Sequence, residues 1–90
     1  MKRIVITVVG KDTVGIIAKV CTYLANGKIN ILDISQTIVQ GFFNMMMIVD
    51  FGDASKGFDE ISEDLEQIGV EIGVIIKTQR EDIFDKMHRI

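Results

Sequence analysis

Two residues, Gln40 and Gly41, separate two strand-like runs: "NILDISQTIV" over 30–39 and "FFNMMMIVDF" over 42–51. A connection this short allows its flanks one arrangement. They must be antiparallel neighbours joined by a tight hairpin, because parallel strands need a crossover of about a dozen residues or more. Gln-Gly is a weaker turn signal than Asn-Gly, but the runs on either side leave no other place for the reversal. The rest of the chain has to be arranged around this hairpin.

Residues 3–9 ("RIVITVV") are β-branched after the first position and read as a central strand buried on both faces, ended by Gly10. Val14, Ile17, Val20, Cys21 and Leu24 recur at helical spacing, which predicts an amphipathic helix over about 14–26. Asp12 is its expected N-cap, and Gly27 the expected left-handed residue beyond its end. Phe58, Ile61, Leu65 and Ile68 mark a second one-faced helix that Gly69 would terminate. Residues 70–78 ("VEIGVIIKT") read as a fourth strand. Residues 79–90 read as a short terminal helix with Ile83, Phe84, Met87 and Ile90 on one side. Gly15 stands out, because inside a helix it costs about 1 kcal/mol relative to Ala. Either another backbone comes close there or the helix start has a task.

The order β-α-β-β-α-β is that of the ferredoxin-like α+β fold. Right-handed crossovers place both helices on one face of a four-stranded antiparallel sheet, with the first and third strands central and the second and fourth at the edges. The chain of 90 residues is expected to form one domain, with a core over 1–78 and the terminal helix over 79–90.

The second strand is an unusual edge. It carries one charge, Asp33, and neither Lys nor Pro, the residues that normally blunt an exposed edge. This predicts pairing with a second copy about a two-fold axis. Ile31, Asp33, Ile34, Ser35 and Gln36 would lie at that interface, with a contribution from the first helix. Alternation puts Asp33, Ser35 and Thr37 on one face. Leu32, Ile34, Gln36 and Ile38 fall on the other, expected to meet the helices, which would make Gln36 a buried amide in need of partners.

Composition narrows the function. Ten Lys and Arg against thirteen Asp and Glu give a net charge of −3, which argues against nucleic acid as a partner. "GFFNMMMIVDF" lacks the basic start and alternating exposed aromatics of an RNA-binding strand, and Met45 and Met47 read as core. A single Cys21, on the apolar phase of a helix, and a single distant His88 provide neither a disulfide nor a zinc site. No metal or cofactor is expected. No nucleophile–base arrangement or paired carboxylate suggests an enzyme. No apolar run reaches membrane-spanning length and no signal peptide precedes the first strand, so no membrane partner is expected and the cytoplasm is the expected compartment.

"GKDTVGIIAKV" after the first strand and "GKINILDISQT" leading into the second, in this order of elements, resemble an ACT domain over nearly all of residues 1–78. With "DISQT", "FFNMMMIVD" and the terminal helix, the whole chain is similar to free-standing ACT proteins that have no attached enzyme. The resemblance implies a homodimeric regulatory module that binds an amino acid or a similar metabolite. The ligand would lie between the strand-to-helix loop of one subunit and the start of the second strand, with both subunits contributing. The matching positions are Asp12, Thr13, Gly15 and Ile16 in the loop, and Asn30. Many ACT loops have Pro just before the glycine; here that residue is Val14, and the turn is less preorganised.

The chemistry is coherent. Free N–H groups at a helix start suit a carboxylate. Asp12 can accept from an α-amino group, and Asn30 can read either end. Plainer roles compete: Asp12 as a cap, Gly15 as a packing glycine, Asn30 as a turn residue. If those hold, the chain is an assembly module without a ligand.

Overall fold

The computed structural model describes residues 2–11 and 15–81. Its elements are β1 (Arg3–Lys11), α1 (Ile16–Asn26), β2 (Asn30–Val39), β3 (Phe42–Asp50), α2 (Phe58–Ile72) and β4 (Ile75–Arg80). The strands form one antiparallel sheet in the order β2-β3-β1-β4, the ferredoxin-like arrangement, with β2 and β4 at its edges. The hairpin closes with Val39 opposite Phe42. Gln40 and Gly41 both have positive φ, 51° and 81°, the type I′ geometry whose twist matches that of the strands it joins.

Alternation along the strands fills one face. Ile4, Ile6 and Val8 of β1 and Phe43, Met45, Met47 and Val49 of β3 point toward the helices and are buried, so Met45 and Met47 are core residues. They meet Ile16, Val20 and Leu24 of α1 and Ile61 and Leu65 of α2. Each such aliphatic side chain contributes roughly 1.5–3 kcal/mol on burial. Cys21 is half-buried against this core.

Several boundaries differ from the sequence expectation. β1 does not end at Gly10 but runs on to Lys11, with Gly10 paired to Phe43. A Cβ on Gly10 would lie 2.7 Å from a Val74 methyl, so this glycine makes room for packing rather than ending a strand. β1 is buried on both faces only at Ile4–Ile6 and Val8; Thr7 is half-buried and Val9 exposed. α1 begins at Ile16, and its buried stripe is Ile16, Val20 and Leu24, with Ile17 on the exposed side. Gly27 has φ −87°, and the left-handed residue that turns the chain into β2 is Lys28, φ 58°.

Gly69 does not terminate α2. The helix continues to Ile72 and ends at Gly73, whose φ is 78°. Gly69 sits inside because the chain doubles back over it. The Val74 N–H donates to the Gly69 carbonyl at 2.9 Å, and a Cβ there would lie 2.7 Å from the Val74 carbonyl oxygen. β4 therefore starts later and ends later than 70–78, taking in Gln79 and Arg80, which the sequence pattern places in the terminal helix. The remainder of that expected helix, 82–90, lies outside the described residues, as do Asp12, Thr13 and Val14.

β2 departs most. All ten of its residues are exposed. Ile34, Gln36 and Ile38 do lie on the helix side, opposite Met47, Met45 and Phe43, but the two helices do not extend over them. Gln36 is thus not a buried amide, and no buried polar side chain occurs among the described residues. A bulge between Ile31 and Asp33 resets the alternation, and the Asp33 carboxylate accepts the Ile34 N–H at 2.9 Å beside it.

Candidate functional site

At the end of the sheet where β1 finishes, Gly15 forms the N-cap of α1 with φ 91°. A Cβ there would meet nothing within 4 Å. The glycine is therefore demanded by a left-handed backbone and not by a close neighbour, and it stands before the helix instead of within it. Its carbonyl accepts the Lys19 N–H at 2.9 Å, the first hydrogen bond of the helix. Having no side chain, Gly15 caps none of the first-turn N–H groups, and no acidic residue sits in that turn. α2 differs, with Asp59 and Glu60 in its first turn. The positive end of α1 is thus left without an anion from its own first turn. Ile16 is buried, so it can offer a ligand its backbone N–H but not its side chain.

Asn30 is exposed at the start of β2 and pairs with Asp50, which in turn pairs with Arg3. The Asp50 carboxylate is occupied by the Gly52 N–H at 2.9 Å. This is the opposite end of the sheet from Gly15. The rows Asn30–Asp50–Arg3 and Val39–Phe42–Lys11 are its two limits, and α1 spans about 16 Å between Gly15 and the return to β2. A single chain therefore does not bring Gly15 and Asn30 together. Ile31, Asp33, Ile34, Ser35 and Gln36 lie in sequence along the exposed β2 edge between these two ends.

One cluster went unread in the sequence. The Tyr23 hydroxyl donates to Asp64 Oδ2 at 2.6 Å, and Lys56 Nζ donates to the same oxygen at 2.7 Å, with the ammonium 5.9 Å from the centre of the Tyr23 ring. Burial first, and the Asp64 carboxylate second, push the Tyr23 hydroxyl well above the ordinary tyrosine range. The hydrogen bonds from Lys56 and then Tyr23 hold Asp64 below the usual carboxylate range, and the bond to Asp64 raises Lys56. The three residues are far apart in the chain, and no periodicity or spacing connects them. They tie together α1, α2 and the loop before α2.

A shallow depression of about 600 Å³ follows the β4 edge beside Ser62, Glu66 and Lys77, and neither Gly15 nor Asn30 lines it. No group of three or more His, Cys, Asp or Glu among the described residues is placed to hold a metal ion. No helix among them is long and apolar enough to cross a membrane.

Comparison with known proteins agrees with this architecture. The ACT domain family model matches residues 2–79. A UPF0237 protein of Bifidobacterium longum is 61% identical over the whole length of both chains. The structure is similar to an ACT domain protein from Streptococcus pneumoniae, with a TM-score of 0.81 and 38% identity, covering 93% of this chain and 94% of that one. It is also similar to the regulatory subunit of aspartate kinase from Thermus thermophilus, with a TM-score of 0.67 and 28% identity, covering 87% of this chain and 50% of that one. ACT domains are regulatory, small-molecule-binding modules. With a free-standing domain of this topology matched from residue 2 to residue 79, the chain belongs to the ACT domain family.

Proposed function

We propose that this chain is a homodimeric sensor of an amino acid or similar small metabolite, paired through β2, with each ligand held between the Gly15 end of one copy and Asn30 of the other. The observation that carries the reading is the β2 edge: ten consecutive exposed residues, Ile34 and Ile38 among them, with no Lys or Pro to blunt it. β4, the opposite edge, is six residues long and carries Lys77 and Arg80. Antiparallel pairing of two β2 strands about their middle would set Asn30 of one copy beside the Val39 end of its partner, the end that holds Gly15. The separation of Gly15 from Asn30 within one chain is then a reason for the dimer. The start of α1, with no acidic residue in its first turn, suits a carboxylate, and Asn30 suits either an ammonium or a carboxylate. The likeness to a regulatory subunit supports the regulatory role. The compartment that fits such a module is the cytoplasm, and the reaction chemistry of an enzyme has no part in it.

The test is a thermal-shift screen of the full chain with the twenty amino acids and common metabolites, alongside its mass by light scattering. A ligand at a hundred times its dissociation constant should add about 2.7 kcal/mol of stability. A second reading, an assembly module without a ligand, is favoured by one observation: the left-handed φ of Gly15 accounts for that glycine without any ligand. A dimer that no compound stabilises would select it.

A further inference from the structure

The helix-free face of the sheet holds a second group of exposed apolar residues, distinct from those of the β2 edge. Ile17, Ile31, Leu32, Ile34 and Ile38 belong to the edge or to the helix side next to it. Val9, Val39, Phe42, Met46 and Ile75 lie on the other side of the sheet, each between 41% and 62% exposed. The register places them in neighbouring rows: Val39 with Phe42, Val9 with Ile75, and Met46 one row on, opposite Thr7. The spaces between them hold uncharged Thr7, Ser35 and Asn44. The charges of this face, Arg3, Lys11, Asp33, Asp50 and Lys77, sit at its ends and edges. An apolar and uncharged centre with charges at the margin is the make-up of a protein–protein interface.

We propose that two edge-paired dimers stack through these helix-free faces to give a tetramer, so that the occupant of the face is a second copy of the same dimer. The inference rests on the β2 pairing proposed above, which joins the two faces into one eight-stranded surface. Area decides the occupant. Val5, on the same face, is only 3% exposed, so the open part is limited to the rows from Thr7 to Lys11. Four strands about 4.8 Å apart over about five residues at about 3.4 Å each give roughly 330 Å² per chain. One chain against one chain would bury roughly 650 Å², too little for a stable contact, whereas dimer against dimer buries roughly 1,300 Å², within the range of specific interfaces. Three mutually perpendicular two-fold axes, one through the paired edges and two between the sheets, then close the assembly without leaving an apolar face exposed.

The experiment is light scattering of the full chain and of three variants: Met46→Lys and Ile75→Lys on the face, and Ile34→Lys on the edge. Circular dichroism checks that each is folded, and the two face substitutions are at exposed positions on different strands. The expected wild-type mass is four times the 10.1 kDa of one chain. Met46→Lys and Ile75→Lys should each halve it, and Ile34→Lys, which leaves only single-chain faces to stack, should reduce it to the mass of one chain. A wild-type dimer that Ile34→Lys splits and the face variants leave intact overturns the stacking while the edge reading stands. A dimer split by the face variants but not by Ile34→Lys overturns the edge reading and the tetramer with it. A tetramer untouched by both face variants overturns the stacking. Loss of melting temperature in the face variants with no change of mass would assign the face to residues 82–90 of the same chain, and also overturns it.

Discussion

Tyr23 on α1 donates its hydroxyl proton to Asp64 on α2 at 2.6 Å, across a separation of 41 residues in the chain. The bond ties together two helices that otherwise meet mainly through the sheet beneath them. It has a consequence for pH. The Tyr23 hydroxyl is held protonated above its ordinary value of 10.0 in the fold, so its contribution is intact below that value and is lost as pH rises beyond it, where the unfolded chain ionises first. Melting temperature measured from neutral pH to pH 11 should fall above about pH 10. Tyr23→Phe should flatten that part of the curve. At neutral pH the same variant should melt roughly 3–6 °C lower, the scale of one part-buried hydrogen bond in a domain of this size.

The acid side of this cluster works in the opposite direction. Asp64 is held below its ordinary value by Lys56 and Tyr23, so its stabilisation is present above that value and is lost as pH falls through the folded one. Asp64→Asn should therefore reduce the loss of melting temperature between pH 5 and pH 2 relative to the wild-type chain. An unchanged acid limb would show that another carboxylate governs it.

Gly15→Ala should destabilise the chain by about 1–2 kcal/mol in urea unfolding, although a Cβ there would meet nothing within 4 Å. The cost is the left-handed backbone at φ 91° and not crowding. Gly15→Asn should lose less, because Asn tolerates that region. If the two variants were equally stable to the wild-type chain, the conformation assigned to Gly15 would be wrong.

Gly69→Ala should also destabilise, through crowding. Ala is the better helix former by about 1 kcal/mol, but its Cβ would press on the Val74 carbonyl oxygen, and overpacking of this kind costs roughly 1–3 kcal/mol. A net loss in urea unfolding is expected. A gain would mean that the start of β4 yields easily.

Asn30→Ala should leave both mass and melting temperature unchanged, since the side chain is exposed, yet weaken the binding of any amino acid found in the thermal-shift screen. The expected loss is roughly 1–3 kcal/mol, about tenfold or more in affinity, for a ligand group left without its partner. Full affinity in the variant would remove Asn30 from the site.

The order of elements was legible in the residues because it rests on local signals. The two-residue connection at Gln40 and Gly41, the 3.6-residue spacing of Ile61 and Leu65, and the alternation of Met45 and Met47 each depend on neighbours within a few positions. The ACT resemblance rested on further short stretches, "GKDTVGIIAKV" and "GKINILDISQT", set in this order of elements. Decisions made by distant residues were not legible. Gly10 and Gly69 read as breaks, and only the position of Val74 against both shows that they make room for packing. Gly15 read as a helix residue, and only its backbone angle shows that it precedes the helix. Alternation assigned Ile34, Gln36 and Ile38 to the helix side correctly, but it cannot say how far two helices extend over a sheet, so their exposure came from the packing alone. The resemblance named Gly15 and Asn30 as parts of a site to which two subunits contribute, and only the fold shows that they lie at opposite ends of one chain. Local patterning determines which elements form and which way their faces point; the distances between elements are set by tertiary structure.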